Sequence, residues 1–442
     1  MAGEWRDATV TDVAAKVRNA LVGGPFGSNL VSNDYVAAGV PVIRGQNMGG
    51  RWVSGEFAYV TEEKARALEA NLARAGDIIF TQRGTLGQVS VVPTGPHERY
   101  LVSQSQMKLT VDREVADPLF YYYVFSSAEQ QDYIRQHAIQ TGVPHTNLGI
   151  LRQTPVPLPP LDEQRAIAHI LGTLDDKIEL NRRMNETLEA MARALFKSWF
   201  VDFDPVRAKA EGRDTGLPQP LADLFPDSFE DSELGEVPKG WKITPLPDAI
   251  EVNPNRQLRK GEVAPYLDMA NMPTGGHTPD EVIDRPFGSG MRFMNGDTLV
   301  ARITPCLENG KAAYVDFLQD GQVGWGSTEY IVLHPKPPLP SEFAYCLARS
   351  NGFREFATQS MTGSSGRQRV PAESLSHYLI AIPEERIAER FGRIVRPLFL
   401  RASAAARESR SLAALRDELL PKLISGELRV RAGIELAMEA TQ

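Results

Sequence analysis

The chain has 442 residues, of which 42% are hydrophobic and 24% charged, and its formal net charge is −8. This length suits two or three domains, and the absence of any apolar run of about 18 residues argues against a membrane span. The start, MAGEWRDATVTDV, has no apolar signal region. The two cysteines, Cys306 and Cys346, lack the spacing of metal ligands. These features predict a reduced, cytoplasmic protein.

The negative charge is concentrated in one segment. Residues 201–236 contain 10 acidic and 3 basic side chains, a balance of −7, which leaves −1 for the rest of the chain. The last sixty residues, 383–442, carry +2. An acidic chain argues against nucleic-acid binding in general. Outside this segment, however, the chain is neutral enough for local basic loops to decide what it binds.

Residues 1–156 predict a first α+β domain. Short β-like runs alternate with turns, as in VPVIRG, GEFAYV, GDIIFT, QVSVVP and QMKLTV, and the helix-like stretch PLFYYYVFSSAEQQDYIRQ follows them. Branched and aromatic residues between turn residues favour strands. The combination indicates an α+β domain with many turns.

Residues 157–200 predict a long helix. The prolines of PLPPLDEQRAIAHILGTLDDKI fix an extended entry, and Asp162 can cap the helix that follows. Inward positions then alternate at spacings of three and four over about four heptads, which is typical of a coiled-coil seam. The predicted seam is Leu171, Leu174, Ile178, Asn181, Asn185, Leu188, Ala192, Leu195 and Trp199.

The remaining chain repeats this order after a connector. Residues 201–236 are rich in Pro, Gly and acid, which predicts a connector that is ordered at most in pieces. Residues 237–382 predict a second α+β domain. A second long helix is predicted over 383–428, and residues 429–442 form a tail.

The second long helix also has a seam pattern. A kink at Pro397 and an end between Pro421 and Gly426 are expected. The predicted inward positions are Ile387, Phe391, Ile394, Leu398, Arg401, Ala405, Glu408, Leu412, Leu415 and Leu419.

The two halves correspond segment by segment. GDIIFTQRGTLGQVSVV corresponds to GDTLVARITPCLENGKAAYV, SQSQMKLTV to GSTEYIVLH, and LFYYYVFSSAEQQDYI to EFAYCLARSNGFREFA. Each half then ends in a proline-containing junction and a long helix. This fixed order predicts a tandem duplication, and a domain used twice suggests that two similar objects, or one object at two places, are bound.

The two long helices predict an antiparallel coiled coil. Both seams have apolar ends and polar middles, with Asn181 and Asn185 in one and Arg401 and Glu408 in the other. Antiparallel pairing places the polar middles opposite each other, where they can fix the register. A helix of about 38 residues is about 57 Å long. Because one turn of DNA is about 34 Å, two domains on such a rod could contact neighbouring grooves, which is a hypothesis.

Five stretches of the chain resemble the specificity (S) subunit of type I restriction–modification systems. They are GGPFGSNL (23–30), GVPVIRGQNM (39–48), GDIIFTQRGTLG (76–87), the block from PLPPLDEQ to VDFDPVRAK (157–209) and LRDELLPKLISGELRV (415–430). The central block carries the resemblance most specifically, and the resemblance spans nearly the whole chain. The second domain departs from the common loop pattern, with ARITPCLENGKAAY in place of TQRGTLGQVSV.

The resemblance implies a fold and a set of partners. Two target-recognition domains would each read one half of a bipartite, gapped double-stranded DNA site, and the paired helices would dock two methyltransferase (M) subunits. A motor-nuclease restriction (R) subunit completes such systems. The S subunit itself is non-catalytic and holds no cofactor. S-adenosylmethionine, ATP and Mg are expected on the partner subunits, and no membrane is involved.

The residues themselves contain no catalytic pattern. The seven histidines have no metal-ligand spacing, and neither a phosphate-binding G-x-x-x-x-G-K-[ST] nor a dinucleotide-binding motif occurs. Asn253-Pro254 is followed by Asn255, where an adenine methylase would place an aromatic residue to stack the flipped base. The sequence therefore argues against an enzyme.

Base reading requires Arg, Asn, Gln, His, Ser or Thr side chains on loops. For any single residue an ordinary turn or cap role is the stronger alternative, and Arg44 and Arg83 can also position phosphates. The glycine-rich loop 362–369 with its two arginines is the best candidate. The candidates are Arg44, Gln46, Asn47, Arg83, Gln104, His145 and Thr146 in the first domain, and Asn271, Arg302, Thr304, Thr328, Arg367, Gln368 and Arg369 in the second.

The exposed faces of the long helices are ordinarily just solvated. Only the family resemblance makes four residues of the first long helix candidate contacts for the methyltransferase, namely Glu163, Arg165, Lys177 and Arg182. The rival hypothesis is a coiled-coil scaffold that pairs two protein-binding domains and has no role on DNA. Steep salt dependence of DNA binding distinguishes the two hypotheses, because phosphate contacts release counterions.

Overall fold

The structure, a computed structural model, describes residues 5–140, 143–364 and 366–430. The chain forms two compact units. The first comprises the residues up to Lys177 together with those from Ser411 onward, and the second is Ile178–Arg410. Each unit therefore contains one globular domain and a part of both long helices, so the helices are shared between the units instead of standing apart from them.

The first half of the chain alternates short strands with short helices before its long helix begins. Its strands are β1 (Arg6–Thr9), β2 (Leu21–Gly23), β3 (Tyr35–Val36), β4 (Val40–Ile43), β5 (Ala58–Val60), β6 (Leu72–Ala73), β7 (Ile78–Thr81), β8 (Val89–Val91), β9 (Tyr100–Val102), β10 (Gln106–Leu109) and β11 (Pro155–Leu158). Its helices are α1 (Val10–Val13), α2 (Glu62–Ala67), α3 (Pro118–Ser126), α4 (Ala128–Gln136), α5 (Leu148–Gln153) and the long α6 (Leu161–Phe200).

The second half has the same mixture. Its strands are β12 (Phe229–Ser232), β13 (Gly235–Pro238), β14 (Lys242–Pro245), β15 (Ile250–Val252), β16 (Val263–Leu267), β17 (Ile283–Pro286), β18 (Met291–Phe293), β19 (Thr298–Ala301), β20 (Ala312–Tyr314), β21 (Gly324–Gly326), β22 (Tyr330–Pro335) and β23 (Leu379–Ile382). Its helices are α7 (Asp204–Ala210), α8 (Gln219–Ala222), α9 (Leu246–Ala249), α10 (Ser341–Ala348), α11 (Asn351–Gln359) and the long α12 (Glu385–Ile424).

The sheet topology confirms the predicted duplication. The first unit has sheets of order β1-β11, β2-β10-β7-β8 and β3-β5-β4-β9-β6, and the second has β14-β23, β15-β22-β19-β20 and β17-β16-β21-β18. The strands of these sheets correspond, including the parallel pairs β4 with β9 and β16 with β21, whereas the hairpin β12-β13 of the second unit has no counterpart in the first. Strand β3 is an addition to the first unit. The α+β fold predicted from the sequence is therefore present twice.

The cores follow from the alternation of apolar runs with turns. In the first unit β4 and β7 are buried along their whole length, which fits runs such as VPVI and IIFT. In the second unit an aromatic cluster joins the end of α6 to helix α10 of the globular domain and to the long helix α12. The rings of Phe196 and Phe343 lie 5.0 Å apart, and those of Phe200 and Phe391 lie 4.9 Å apart. Aromatic rings at such distances contribute strongly to a core.

The segment 201–236 differs from the predicted connector. It forms α7, α8 and the hairpin of β12 with the start of β13, and Val206 and Phe225 are both buried in the core of the second unit. The Phe225 ring lies 5.0 Å from the ring of Trp199. The segment is therefore ordered in pieces, and a few apolar residues among many acids and prolines anchor it to the core.

The long helices pair antiparallel within each unit. In the first unit Arg416 Nη1 donates to Asp175 Oδ1 at 2.7 Å, and Arg429 Nη1 donates to Glu163 Oε1 at 3.2 Å. In the second unit Phe391 packs on Phe200, as above, and Asn181 Nδ2 donates to Glu408 Oε2 at 2.8 Å. In each unit the contacting residues rise in number along the first long helix and fall in number along the second, so the predicted antiparallel coiled coil is confirmed.

The seam of α6 matches the prediction, whereas that of α12 is out of phase in the middle. All nine predicted positions of α6 are buried or half-buried. In α12, Ile394 is 40% exposed and Arg401 is also exposed, while Val395 is fully buried. The buried positions in this stretch are Val395, Phe399 and Ala402. The helix runs through Pro397 without interruption and ends at Ile424, within the expected range.

This shift of phase predicts opposite outcomes at adjacent residues. Val395→Ala should lower the free energy of unfolding of the second unit by about 2 kcal/mol, because it removes buried methyl groups and leaves a cavity. Ile394→Ala should cost about 0.5 kcal/mol or less, because this side chain keeps contact with solvent. Denaturant titration of both variants measures this. A larger loss of unfolding free energy for Ile394→Ala than for Val395→Ala would show that Ile394 faces inward, as the sequence predicted.

A small ion-pair network on α6 predicts a pH dependence. Hydrogen bonds from Arg182 and Arg183 lower the pKa of Glu179 to about 2. A carboxylate with a lowered pKa stabilises the fold above its unfolded pKa, and this contribution disappears as pH falls through the folded value. Glu179→Gln should therefore cost under about 1 kcal/mol at pH 7, since the pair is exposed. The difference from wild type should vanish between pH 4.5 and 2 and shrink in 1 M salt, which denaturant titrations can follow.

Within the described ranges, no helix combines the length and apolar character that crossing a membrane requires. Nor do the described residues contain a group of three or more His, Cys, Asp or Glu side chains arranged to hold a metal ion.

Candidate nucleic-acid interface

Three distant segments meet at the end of strand β7 in the first unit. Gln82, the first residue after β7, donates its backbone N–H to Ser105 O at 2.7 Å and accepts from Thr146 N at 2.9 Å. Arg83 and His145 form an adjacent backbone bridge. We call the loops 82–88, 103–105 and 143–146 the first loop cluster. It brings together four of the candidates predicted from sequence, namely Arg83, Gln104, His145 and Thr146.

Side chains of the first loop cluster differ in availability. Arg83 is exposed, and His145 is half-buried with Nδ1 3.2 Å from Val143 O. Thr146 is only 6% exposed. Gln104 is exposed, but its amide nitrogen donates to Gly27 O at 2.5 Å and to Leu30 O at 2.8 Å. Arg83 and His145 are therefore the candidates of this cluster most open to a ligand.

The loop after β4 lies beside this cluster. A Cβ on Gly45 would lie 3.7 Å from Gln88 Oε1, in the first loop cluster. Gln46 is exposed and donates to Glu56 O at 3.1 Å, whereas Arg44 is half-buried with no partner for its Nε. Arg44 and Gln46 thus border the cluster.

Asn47 has a structural task in that loop. It is 1% exposed, its Oδ1 accepts from Arg44 N at 3.0 Å, and its Nδ2 donates to Ser54 O and Glu56 O. A side chain with its amide group used in this way has nothing left to offer a base. The alternative of an ordinary turn residue therefore fits Asn47 better than base reading.

The second unit repeats the arrangement at the end of strand β19. Arg302 donates its backbone N–H to Glu329 O at 3.0 Å and accepts from Val370 N at 2.8 Å, as Gln82 does with Ser105 and Thr146. Thr304 and Gln368 are joined by two further bonds: Thr304 N donates to Gln368 O at 3.0 Å, and Gln368 N donates to Thr304 Oγ1 at 3.1 Å. We call the loops 302–310, 327–329 and 362–369, excluding residue 365, the second loop cluster.

Charge in the second loop cluster is arranged around Glu329. Arg369 Nε donates to both carboxylate oxygens of Glu329 at 2.9 Å, and this hydrogen bonding raises the pKa of Arg369. Arg367 and Thr328 are exposed. Arg302 is half-buried and its Nε has no partner. The cluster therefore presents guanidinium groups, one of them held in place by a carboxylate, which suits phosphate or guanine contacts.

Asn271 stands outside this arrangement. It is half-buried in a turn, where its backbone N–H donates to Asp268 Oδ1 at 2.8 Å. Sequence reasoning also missed Gln82, Ser105 and Glu329, which hold the clusters together. Their signal was the position directly after or before a buried strand, in the aligned repeats.

The four candidates for partner contacts lie on α6. Glu163 accepts from Trp5 Nε1 at 3.1 Å and from Arg429, so it ties both ends of the first unit together. Arg165 is exposed and Lys177 is half-buried. Arg182 is exposed and bonds to Glu179 and Glu186 on its own helix. Glu163 thus has an internal role, while the other three remain predictions for docking.

The chain is similar in sequence to known type I restriction–modification specificity subunits. Residues 4–190 match the family described as "Type I restriction modification DNA specificity domain". The MjaIX specificity subunit of a type I restriction enzyme from Methanocaldococcus jannaschii is 23% identical over 97% of this chain and 94% of its own length. The HindI specificity subunit of Haemophilus influenzae is 24% identical over 96% of this chain and all of its own length.

A solved structure agrees with the fold. The S subunit of a type I restriction–modification system from M. genitalium is 16% identical, covers 95% of this chain and 96% of its own, and superposes with a TM-score of 0.57. The resemblance inferred from the sequence is confirmed: residues 4–190 match the model of the type I restriction–modification DNA specificity domain, and nearly the whole chain is similar to type I specificity subunits.

Proposed function

We propose that this chain is the subunit that gives a type I restriction–modification complex its choice of DNA sequence. Each unit reads one half of a bipartite, gapped double-stranded target through its loop cluster. The observation that supports this most is the recurrence of the same loop cluster, with the same backbone hydrogen bonds, at the end of corresponding strands in both units.

The side chains of the clusters suit this task. Arginine can bind guanine through two hydrogen bonds, glutamine can do the same with adenine, and Thr or His can contact either kind of edge or a phosphate. The two units read different bases because corresponding positions carry different side chains. Arg83 and His145 of the first unit correspond to Ile303 and Arg369 of the second. A shared scaffold with different side chains reads two different half-sites.

The partners follow from the same proposal. The exposed faces of α6 and α12 dock two methyltransferase subunits, with Arg165, Lys177 and Arg182 among the contacts. S-adenosylmethionine belongs to those subunits, while ATP and Mg belong to the restriction subunit, where one is present. This chain orients the target and contributes no reacting group.

Two measurements on the purified chain test the proposal. Mass measurement after mixing with its methyltransferase should give two methyltransferase subunits per chain. DNA binding by that complex should weaken steeply with salt, because phosphate contacts release counterions. A complex that ignores DNA at all salt concentrations would instead favour the scaffold that pairs two protein-binding domains.

A further inference from the structure

One ion pair of the second loop cluster engages a whole edge of a guanidinium group. Besides the two hydrogen bonds from its Nε, Arg369 places Nη2 2.8 Å from Oε1 of Glu329. The two side chains are 45% and 23% exposed, and an ion pair with such exposure contributes little to stability. What the pair does determine is the direction in which the arginine points.

The backbone on both sides of this ion pair is held as well. Arg369 N donates to Thr362 O, and Arg369 O accepts from Thr362 N, both at 2.9 Å. Glu329 N donates to Ser327 Oγ at 3.1 Å. The residue that follows each member of the pair is buried. The two side chains therefore project into solvent from anchored segments of the chain.

The donors that remain on Arg369 form a second edge of the guanidinium. Glu329 occupies the edge made by Nε and Nη2, while Nη1 has no hydrogen-bond partner among the residues that the structure describes. Nη1 and the outer N–H of Nη2 are two parallel donors, which match the O6 and N7 acceptors of guanine. Because the carboxylate cancels the positive charge, the pair suits a neutral base edge better than a phosphate.

The ion pair is present in only one of the two halves of the chain. The backbone bonds that place Glu329 and Arg369 recur at Ser105 and His145 of the first unit, where no carboxylate faces a guanidinium. Neither member of the pair lies in the five stretches that carry the family resemblance. A residue that selects one base of one half-site is expected to differ in this way, since different half-sites need different side chains on the same scaffold.

We propose that Arg369 binds O6 and N7 of a guanine in the half-site read by the second unit, and that Glu329 holds the guanidinium for this contact. Arg369 thus specifies one G·C pair of the second half-site, and Glu329 acts as its positioning residue. The guanine contact rests on the proposed function and adds one specified base pair to it.

The test uses the full chain in complex with its methyltransferase and a duplex carrying the motif that this complex methylates. Each guanine of the motif is replaced in turn by 7-deazaguanine, which pairs normally but lacks the N7 acceptor. We expect one replacement to weaken binding of the wild type by about fivefold to tenfold, because one hydrogen bond is lost. Arg369→Ala should bind that duplex and the unmodified duplex equally.

Two further variants separate positioning from charge. Glu329→Gln keeps the length of the side chain but removes the charge that holds Arg369. It should therefore distinguish the two duplexes less well than wild type, while its nonspecific binding strengthens. Arg367→Ala removes a neighbouring exposed guanidinium and should weaken binding to both duplexes alike, which keeps the wild-type ratio. All three variants should melt at the wild-type temperature.

Several outcomes would contradict the guanine contact. Equal binding of wild type to every 7-deazaguanine duplex would overturn it, as would an Arg369→Ala variant that still distinguishes the two duplexes. A loss in Arg369→Ala that is equal on all duplexes, with a salt slope smaller by about 0.9, would assign Arg369 to a phosphate instead. Unchanged discrimination in Glu329→Gln would overturn the positioning role. Absence of any bipartite motif for the wild type would instead contradict the proposed function.

Discussion

Replacing Arg349 with alanine is expected to lower the free energy of unfolding of the second unit by about 3–5 kcal/mol. The side chain is 5% exposed and uses every donor of its guanidinium. Nε donates to the Tyr345 hydroxyl, and the two terminal nitrogens donate to the backbone carbonyls of Thr274, Gly310, Gly276 and Ala312. The variant leaves these buried acceptors without a partner, and denaturant titration measures the loss.

The charge of Arg349 matters as well as its geometry. The buried carboxylate of Glu189 lies 3.9 Å from its Nε and 3.8 Å from Arg193 Nη1, so alanine removes one of the two cations beside a buried charge. Arg349→Lys keeps the charge but has no planar fork, and it should lose less stability than alanine while remaining below wild type. An alanine variant within about 1 kcal/mol of wild type would show that the carbonyls find water or other donors.

Replacing both Arg367 and Arg369 with alanine is expected to weaken specific DNA binding by the complex about 10- to 100-fold at about 0.1 M salt. Both side chains are exposed on the second loop cluster. If each meets a phosphate, the slope of log K against log salt should fall in magnitude by about 1.8. Losing Arg369 also leaves the Glu329 carboxylate without its guanidinium partner in the second loop cluster. Binding isotherms at several salt concentrations give both quantities.

Two variants control for charge alone. Replacing Lys239 and Lys242, which are exposed in the same unit, removes the same net charge away from the cluster and should change affinity far less. Glu329→Gln removes a negative charge from the cluster and should strengthen nonspecific binding. If the lysine pair weakened binding as much as the arginine pair, the cluster would have no special place on DNA.

The sequence predicted inward-facing helix positions correctly where the spacing of apolar residues matches the burial in the structure. In α6 all nine predicted seam positions are buried or half-buried, although Phe196 and Phe200, adjacent to the predicted Leu195 and Trp199, are buried as well. In α12, Ile394 and Val395 are adjacent and both apolar, so spacing alone does not decide which faces inward. The packing of Val395 decides it. The duplication was predictable because strand order is retained in both halves.

The loop residues were predictable only in part. The repeats placed the candidates in corresponding loops, and Arg83, His145, Arg302 and Gln368 lie in clusters built from distant segments. Their contact with DNA stays a prediction. Whether a polar side chain is free depends on partners far away in the sequence. The Asn47 amide donates to Ser54 O and Glu56 O, and the Gln104 amide donates to Gly27 O and Leu30 O. Residue type and spacing carry no information on such contacts.

Mapping of adenine methylation across the genome of the native host, with and without this gene, tests the proposed function most directly. The account predicts that one bipartite, gapped motif loses its methylation when the gene is deleted and regains it when the gene is restored. A methylation pattern that includes such a motif and is unchanged by deletion would contradict the account, because another protein would then choose that sequence.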